Sequence, residues 1–228
     1  MSEPGPMVVG VDGWKKVWVA VVLRAGRFEA AHVFLRFADL LGEFPEAAAI
    51  GVDIPIGIPE SGTRSADLEA RTYLSQGRSS VFLVPSRDVL KAVDHATASA
   101  LQRSRTGKGV SQQSYALRAK ILEVDALVNP ADNVIEIHPE VSFRALAGHP
   151  LGYSKKTWAG AHLRRRLLVQ AGIVLPDDLG PAGAAPVDDV LDAAAAAWSA
   201  KRYASGEARS LPADPPEDAP GRPVAIWY

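Results

Sequence analysis

Asp12 and Asp53 each stand alone inside an apolar run, VVGVDG and IGVDIPIG, where a bare carboxylate is expensive to desolvate and needs a compensating partner. If the two runs are neighbouring parallel strands, about 4.8 Å apart, the two carboxylates can share a divalent cation. Each also has a plainer reading: Asp12-Gly13 is a common short turn signal, and Asp53 can pair with Arg64 or Arg71. Late in the chain, Asp188, Asp189 and Asp192 open a helical run that continues into Ala193–Ala197. The helix dipole already favours acids at its start, which suffices for Asp188 and Asp189. Asp192 lies a turn further in, beside alanines that let a helix press against a sheet, and there a carboxylate needs a partner. In VIEIH, residues 134–138, a period of two places Glu136 and His138 on one face and the isoleucines on the other. Glu136 reads as a further acid of the same centre or as a charge on an exposed strand face. Glu140, one residue past Pro139, competes with it for that place or is an N-terminal helix acid. A lone histidine such as His138 is more often a hydrogen-bonding residue than a ligand.

Acids contributed by strand one (Asp12), strand four (Asp53), strand five (Glu136) and the last helix (Asp189 and Asp192) are what a two-metal site for phosphodiester hydrolysis requires. One ion activates the attacking water, and the other, about 3.5–4 Å away, stabilises the leaving 3′ oxygen. The chain has no cysteine, which excludes disulfides, thiol catalysis, iron–sulfur clusters and zinc sites built on thiolate. Carboxylates without thiolate select Mg²⁺ or Mn²⁺.

Candidate phosphate-holding groups lie in loops and at helix starts: Arg64, Ser79, Ser80, Arg87, Lys108, Ser111 and Gln112, with Gln113 beside them. Backbone amides and polar side chains in such places hold phosphates, although ordinary loop polarity explains each one singly. Ser154-Lys155-Lys156-Thr157 is the more suggestive stretch, because hydroxyl, ammonium and amide groups converge at one helix start. Charge is balanced over the chain, at −1 net, but not along it. Residues 101–122 carry five basic residues and no acidic one, residues 141–176 carry six and none, and residues 177–192 hold five aspartates and no base. That separation suits a carboxylate centre beside a surface that attracts phosphate, and equally suits two solvated basic helix faces. Trp14, Tyr115 and Trp158 can stack on bases or lie in a core.

The elements that must position these groups follow from pattern. Strands are expected at 7–12, 17–23 and 28–35, a meander with Asp12-Gly13 and Ala25-Gly26-Arg27 as its turns, then at 48–54 and 133–138. Helices are expected at 37–44, 65–74, 86–102, 111–128, 139–146, 154–172 and 188–204, with Ser65, Ser86 and Ser111 placed as N-caps. The order is β-β-β-α-β, a helical insertion over about 60–130, β, then helix. It resembles the ribonuclease H-like topology, an α/β fold with a mixed five-stranded sheet and helices on both faces. The 228 residues, 47% apolar and 22% charged, form one domain, with an extended or flexible proline-rich segment at 211–223. The longest apolar runs fall short of a membrane span, and the opening MSEPGP lacks a basic region followed by an apolar one. A cytoplasmic protein with no membrane partner is expected.

Across nearly the whole chain the sequence resembles a bacterial and archaeal family of predicted ribonuclease H-like nucleases, the domain of unknown function 429. The resemblance rests on GVDGWKKVWVAV, IGVDIPIGIP, the RSADLEAR segment, SSVFLVPSR, GKGVSQQSY, IEIHPEVSF, SKKT and DDVLDAAAAAWSA. A more distant resemblance to the RuvC-like nucleases implies that Asp12, Asp53, Asp189 and Asp192 occupy metal-binding positions. Those enzymes commonly carry Glu on the fourth strand, where this chain has the shorter Asp53.

Three activities follow as expectations. The first is a metal-dependent nuclease acting on nucleic acid. The second is a nucleic-acid or nucleotide-binding module without chemistry. The third, weaker, is a sugar or acetate kinase-like phosphotransferase, whose hydroxyl-rich phosphate loop and adenosine-binding glycines are missing here. The sequence does not fix the type of nucleic acid or the oligomeric state, with which a homodimer is compatible.

Overall fold

The computed structural model describes residues 5–228; Met1–Pro4, part of the opening stretch expected to carry no leader, lie outside the described residues. β1 (Met7–Trp14), β2 (Val17–Arg24) and β3 (Arg27–Phe34) form an antiparallel meander. Its first turn is at Lys15-Lys16, with Lys15 at φ 49, and not at Asp12-Gly13, which lie inside β1 paired with Val19 and Trp18. Asp12 is therefore a strand residue. After α1 (Phe37–Glu43) comes β4 (Ala49–Val52), parallel to β1, and β5 (Val134–Glu136) is parallel to β4. The five-stranded mixed sheet has the order β3-β2-β1-β4-β5.

Each face of the sheet is covered. Val8, Val19, Val21 and Ala49 face α9 (Val187–Ala204), behind which stand α7 (Pro139–Ala147) and α8 (Trp158–Gln170). Val9, Val11, Trp18, Ile50 and Val52 face α1 and α6 (Arg118–Leu127). The helical segment between β4 and β5 is thus part of the core, since its last helix supplies Ile121 and Val124 to the second layer.

The seating of α9 is set by residues without bulk. A Cβ on Gly10 would lie 2.0 Å from the Ala197 nitrogen and 2.1 Å from the Ala193 carbonyl oxygen, and one on Gly51 would lie 2.8 Å from the Ala196 carbonyl oxygen. The alanine run does press the helix backbone onto the strands, as its composition suggests.

Elsewhere the helices are more broken than their patterns imply. The expected helix at 86–102 is α3 (Arg87–Leu90) and α4 (His95–Thr106), because Asp94 accepts from Thr97 N at 2.7 Å and starts a new N-terminus. The expected helix at 111–128 is α5 (Gln112–Ala116), capped by Ser111, and then α6. α2 (Ser65–Leu74) has no side-chain cap, and Thr157 rather than Ser154 caps α8. The proline-rich tail is not a loose segment: β6 (Ser210–Leu211) pairs with β7 (Ile226–Trp227), and buried Arg222 donates to Asp218 and Asp125.

Candidate metal centre

β1 and β4 run side by side in register, Gly10 opposite Gly51 and Val11 opposite Val52. The next row brings Asp12 beside Asp53, whose amide donates to the Val11 carbonyl at 2.9 Å. With a side-chain period of two, both aspartates share the face of Gly10 and Gly51, the face on which α9 lies. Asp192, in the second turn of that helix, meets them. One carboxylate oxygen from each of Asp12, Asp53 and Asp192 lies within 4.8 Å of the others. Asp12 and Asp192 are almost fully buried, at 7% and 1% exposure.

The centre is under-neutralised. Lys155, from the loop before α8, donates its ammonium to Asp192 Oδ2, so one hydrogen-bonding cation serves three carboxylates; the Lys120 charge also acts on Asp12, but its ammonium donates to the Val17 carbonyl at 2.6 Å. Asp192 Oδ1 is buried with no hydrogen-bond partner. Gly13 N donates to Asp12 Oδ1 at 2.6 Å. Burial pushes the Asp53 carboxyl up to about 7, with Lys155 pulling against it and Glu136, Glu140 and Asp189 adding to the rise. Asp192 is likewise raised by burial to about 7 despite Lys155, and Asp12 is raised by burial and by Asp53, Asp192 and Asp189. Burial lowers the pKa of Lys155, but Asp192, Asp53 and Asp12 outweigh it and hold it above the ordinary lysine value. Left alone, Asp53 and Asp192 would take up protons near neutrality; a divalent cation would satisfy the same three carboxylates without them. The donor set is all hard oxygen, which fits Mg²⁺ or Mn²⁺ and not a thiophilic ion.

Glu136, expected as a ligand, is not part of the three. It pairs with Val52, which pairs with Val11, and this row lies on the opposite face from Asp12 and Asp53; the residue in their row is Ile137. Both oxygens of Glu136 are engaged, Oε1 by Arg64 Nη2 at 2.8 Å and Oε2 by Arg64 Nη1 at 2.8 Å and Ile56 N at 2.7 Å. Arg64, expected to bind substrate, is 5% exposed and fully committed, for it also donates to Asp67 Oδ1, at 3.0 Å from Nε, and to the Ile56 carbonyl. Arg64 is a structural cation, and Asp53 is not its partner. Asp189 is half-buried and faces the same space, with burial, then Asp188, raising its pKa. Glu140 accepts from Arg164 with both oxygens at 2.7 Å.

The acids line a cavity of about 600 Å³. Of the candidate phosphate-holding groups, Ser79, Ser80, Lys155 and Lys156 line it, and Gln113 joins them. Arg87, Lys108, Ser111 and Gln112 do not. Arg87 pairs with Asp125 and Glu60, Lys108 is exposed in a loop, Ser111 is a helix cap, and Gln112 meets His95. Within the two basic arms Arg164 turns inward onto Glu140, while Arg165–Asp177 and Arg105–Asp88 are surface ion pairs. Tyr153, which no spacing singles out, lines the cavity as well, and so does His138, read as a hydrogen-bonding residue rather than a ligand; its Nε2 lies 3.4 Å from the Ser80 carbonyl and its Nδ1 is buried without a partner.

Among the described residues no helix is long and apolar enough to cross a membrane. The family model described as Protein of unknown function (DUF429) matches residues 10–217, a span that holds every residue of the centre and of its cavity except the far wall at Ile226. No curated protein and no solved structure matches the chain.

Proposed function

The chain belongs to the family of proteins of unknown function DUF429, and for it we propose a divalent-cation-dependent phosphodiesterase that cleaves nucleic acid. The observation that carries this is the convergence of Asp12, Asp53 and Asp192 oxygens within 4.8 Å around a single ammonium, with Asp192 Oδ1 unpartnered. Asp12, Asp53 and Asp192 hold the ion, Mg²⁺ or Mn²⁺, and Asp189 on the cavity wall is the further acid we assign to a second, since Glu140 is engaged by Arg164. A bound divalent ion supplies an activated water and charge stabilisation for the phosphoryl group. The chain's own groups do the rest. Lys155 brings a positive charge to the edge of the carboxylates, where a non-bridging phosphate oxygen gains from it. Lys156, Ser79 and Ser80 on the cavity wall offer donors to the remaining oxygens. Burial of the acids keeps bulk water away from the reacting phosphate.

One observation favours a binding module without chemistry: the Lys155–Asp192 ion pair supplies part of the compensation that an ion would give. Calorimetric titration of Mn²⁺ into the wild type and into Asp53→Asn separates the two. Micromolar binding lost in the variant, together with Mn²⁺-dependent cleavage of an oligonucleotide, supports the phosphodiesterase. Absence of binding in both proteins, with substrate phosphates present as well as absent, leaves the binding module.

A further inference from the structure

Resting on the phosphodiesterase reading, we infer that the substrate is an unpaired strand, with one nucleotide unit in the carboxylate cavity and the next base stacked on Trp158. The cavity holds about 600 Å³, within the range of about 300–1,000 Å³ that takes one small ligand. Among its lining acids Asp12 and Asp192 are buried, at 7% and 1% exposure. A duplex presents its phosphates on the outside of a stiff, paired helix and cannot lower one into such a space without distortion. An unpaired strand bends at every nucleotide and can.

The surface agrees. A protein that grips duplex DNA along its backbone needs a row of cations facing out, and here Arg87, Arg164 and Arg222 are spent in ion pairs with the protein's own acids. Beside exposed Lys156 and Arg166 the surface offers an aromatic ring. Trp158 is 86% exposed, the first residue of α8, two positions after Lys156 of the cavity wall. His162, one turn on and also exposed, lies nearly parallel to it, with ring centroids 6.2 Å apart and planes 16° from each other. Arg166, exposed a turn beyond, continues the same helix face. By contrast Tyr115 is buried and Trp14 packs against the core, so of the aromatics whose spacing allowed stacking, Trp158 alone presents its ring to solvent. A large exposed ring two positions past Lys156 of the cavity wall, with Arg166 along its helix face, can hold the base next to one in the cavity, since every base offers a π-face for stacking.

The test uses the full chain with Mn²⁺ and three probes: a fluorescein-labelled thymidine oligomer about 20 nucleotides long, longer than one stacking site needs, the same oligomer annealed to its complement, and bis(4-nitrophenyl) phosphate. The single strand should be cleaved at least tenfold faster than the duplex. Trp158→Ala should raise KM for the single strand about tenfold more than for the small diester, and Trp158→Phe should restore most of the loss. Fluorescence anisotropy of the labelled strand on Asp53→Asn, with and without Trp158→Ala, reads stacking without turnover. Equal cleavage of duplex and single strand, or anisotropy indifferent to Trp158, overturns the inference and leaves the phosphodiesterase standing. No Mn²⁺-dependent hydrolysis of any probe, with Trp158-dependent strand binding retained, overturns the phosphodiesterase alone.

Discussion

Two groups of buried acids border one cavity, and they are solved in opposite ways. In the Arg64–Asp67–Glu136 group every carboxylate oxygen has a donor: Arg64 serves both acids, Val84 N reaches Asp67 Oδ2 at 2.8 Å, and Ile56 N reaches Glu136 Oε2. In the Asp12–Asp53–Asp192 group one ammonium stands for three acids and a buried oxygen is left without a partner. Complete satisfaction is what a structural ion cluster needs to hold a fold in place. Incomplete satisfaction, at a point where three oxygens converge, is what an exchangeable cation needs. The difference between a strut and a site lies here in the count of donors, not in burial or acidity.

The largest effect that tests this contrast falls on catalysis. Asp53→Asn keeps the volume and removes the charge, and Mn²⁺-dependent cleavage should drop by about a thousandfold or more, the several kcal/mol that a catalytic ion supplies, while thermal melts in chelator show the fold intact. Full activity in that variant would remove Asp53 from the centre. Arg64→Met should act on stability instead: stripping the cation from two buried acids should cost about 3–5 kcal/mol in urea unfolding. A loss below about 1 kcal/mol, the scale of an exposed pair, would make the two groups alike.

A subtler separation comes from pH. Asp53 and Asp192 are raised to about 7 in the folded chain, well above the ordinary carboxylate value of the unfolded chain. Their protonation therefore favours the fold fully at acid pH, below about 4, and that contribution is lost as pH rises through about 7. Saturating Mn²⁺ should reverse the loss, adding about 2.7 kcal/mol at a hundredfold excess over Kd at pH 8 and much less at pH 5.5, read as the shift in Tm. A metal-induced shift independent of pH would speak against ligation by these acids. The smallest effect is expected at Asp189, half-buried and outside the three. Asp189→Asn should weaken Mn²⁺ by about tenfold, as loss of a supporting group does, in the same calorimetric titration.

What the sequence displayed of the site was the cost of burying charge. Asp12 and Asp53 could be picked out because their neighbours are apolar, and Asp192 because its neighbours are alanines. Glu136 was misplaced because its partnership depends on register. The alternation in VIEIH correctly groups Glu136 with His138 and the two isoleucines with each other, but whether Glu136 or Ile137 falls in the row of Asp53 is decided by the pairing of β5 with β4, a tertiary fact. The arginines misled for a similar reason: sequence shows their charge, and only the fold shows that Arg164, in the second basic arm, turns inward to Glu140 and that Arg64, outside both arms, locks onto Glu136. The strands and the covering helices were legible from periodicity, as strongly patterned segments are, whereas the mixed sheet they form was reached through the resemblance to the ribonuclease H-like topology. The break between α3 and α4 was hidden because Asp94 can sit in a helix or start one, and the tail because prolines read as looseness when no packing partner is in view.

The seat of α9 on Gly10 and Gly51 has a consequence for which ion is chosen. Because main chain meets main chain there, the gap between Asp192 and the strand acids is a fixed gauge, not a claw that tightens around whatever enters. A rigid gauge sorts by radius: it rewards a small, strictly octahedral ion and penalises Ca²⁺, whose longer bonds need ligands free to retreat. For the ion proposed here, that choice would rest on the smallest residues of the chain, Gly10 and Gly51, each two positions before a strand aspartate that would touch the metal.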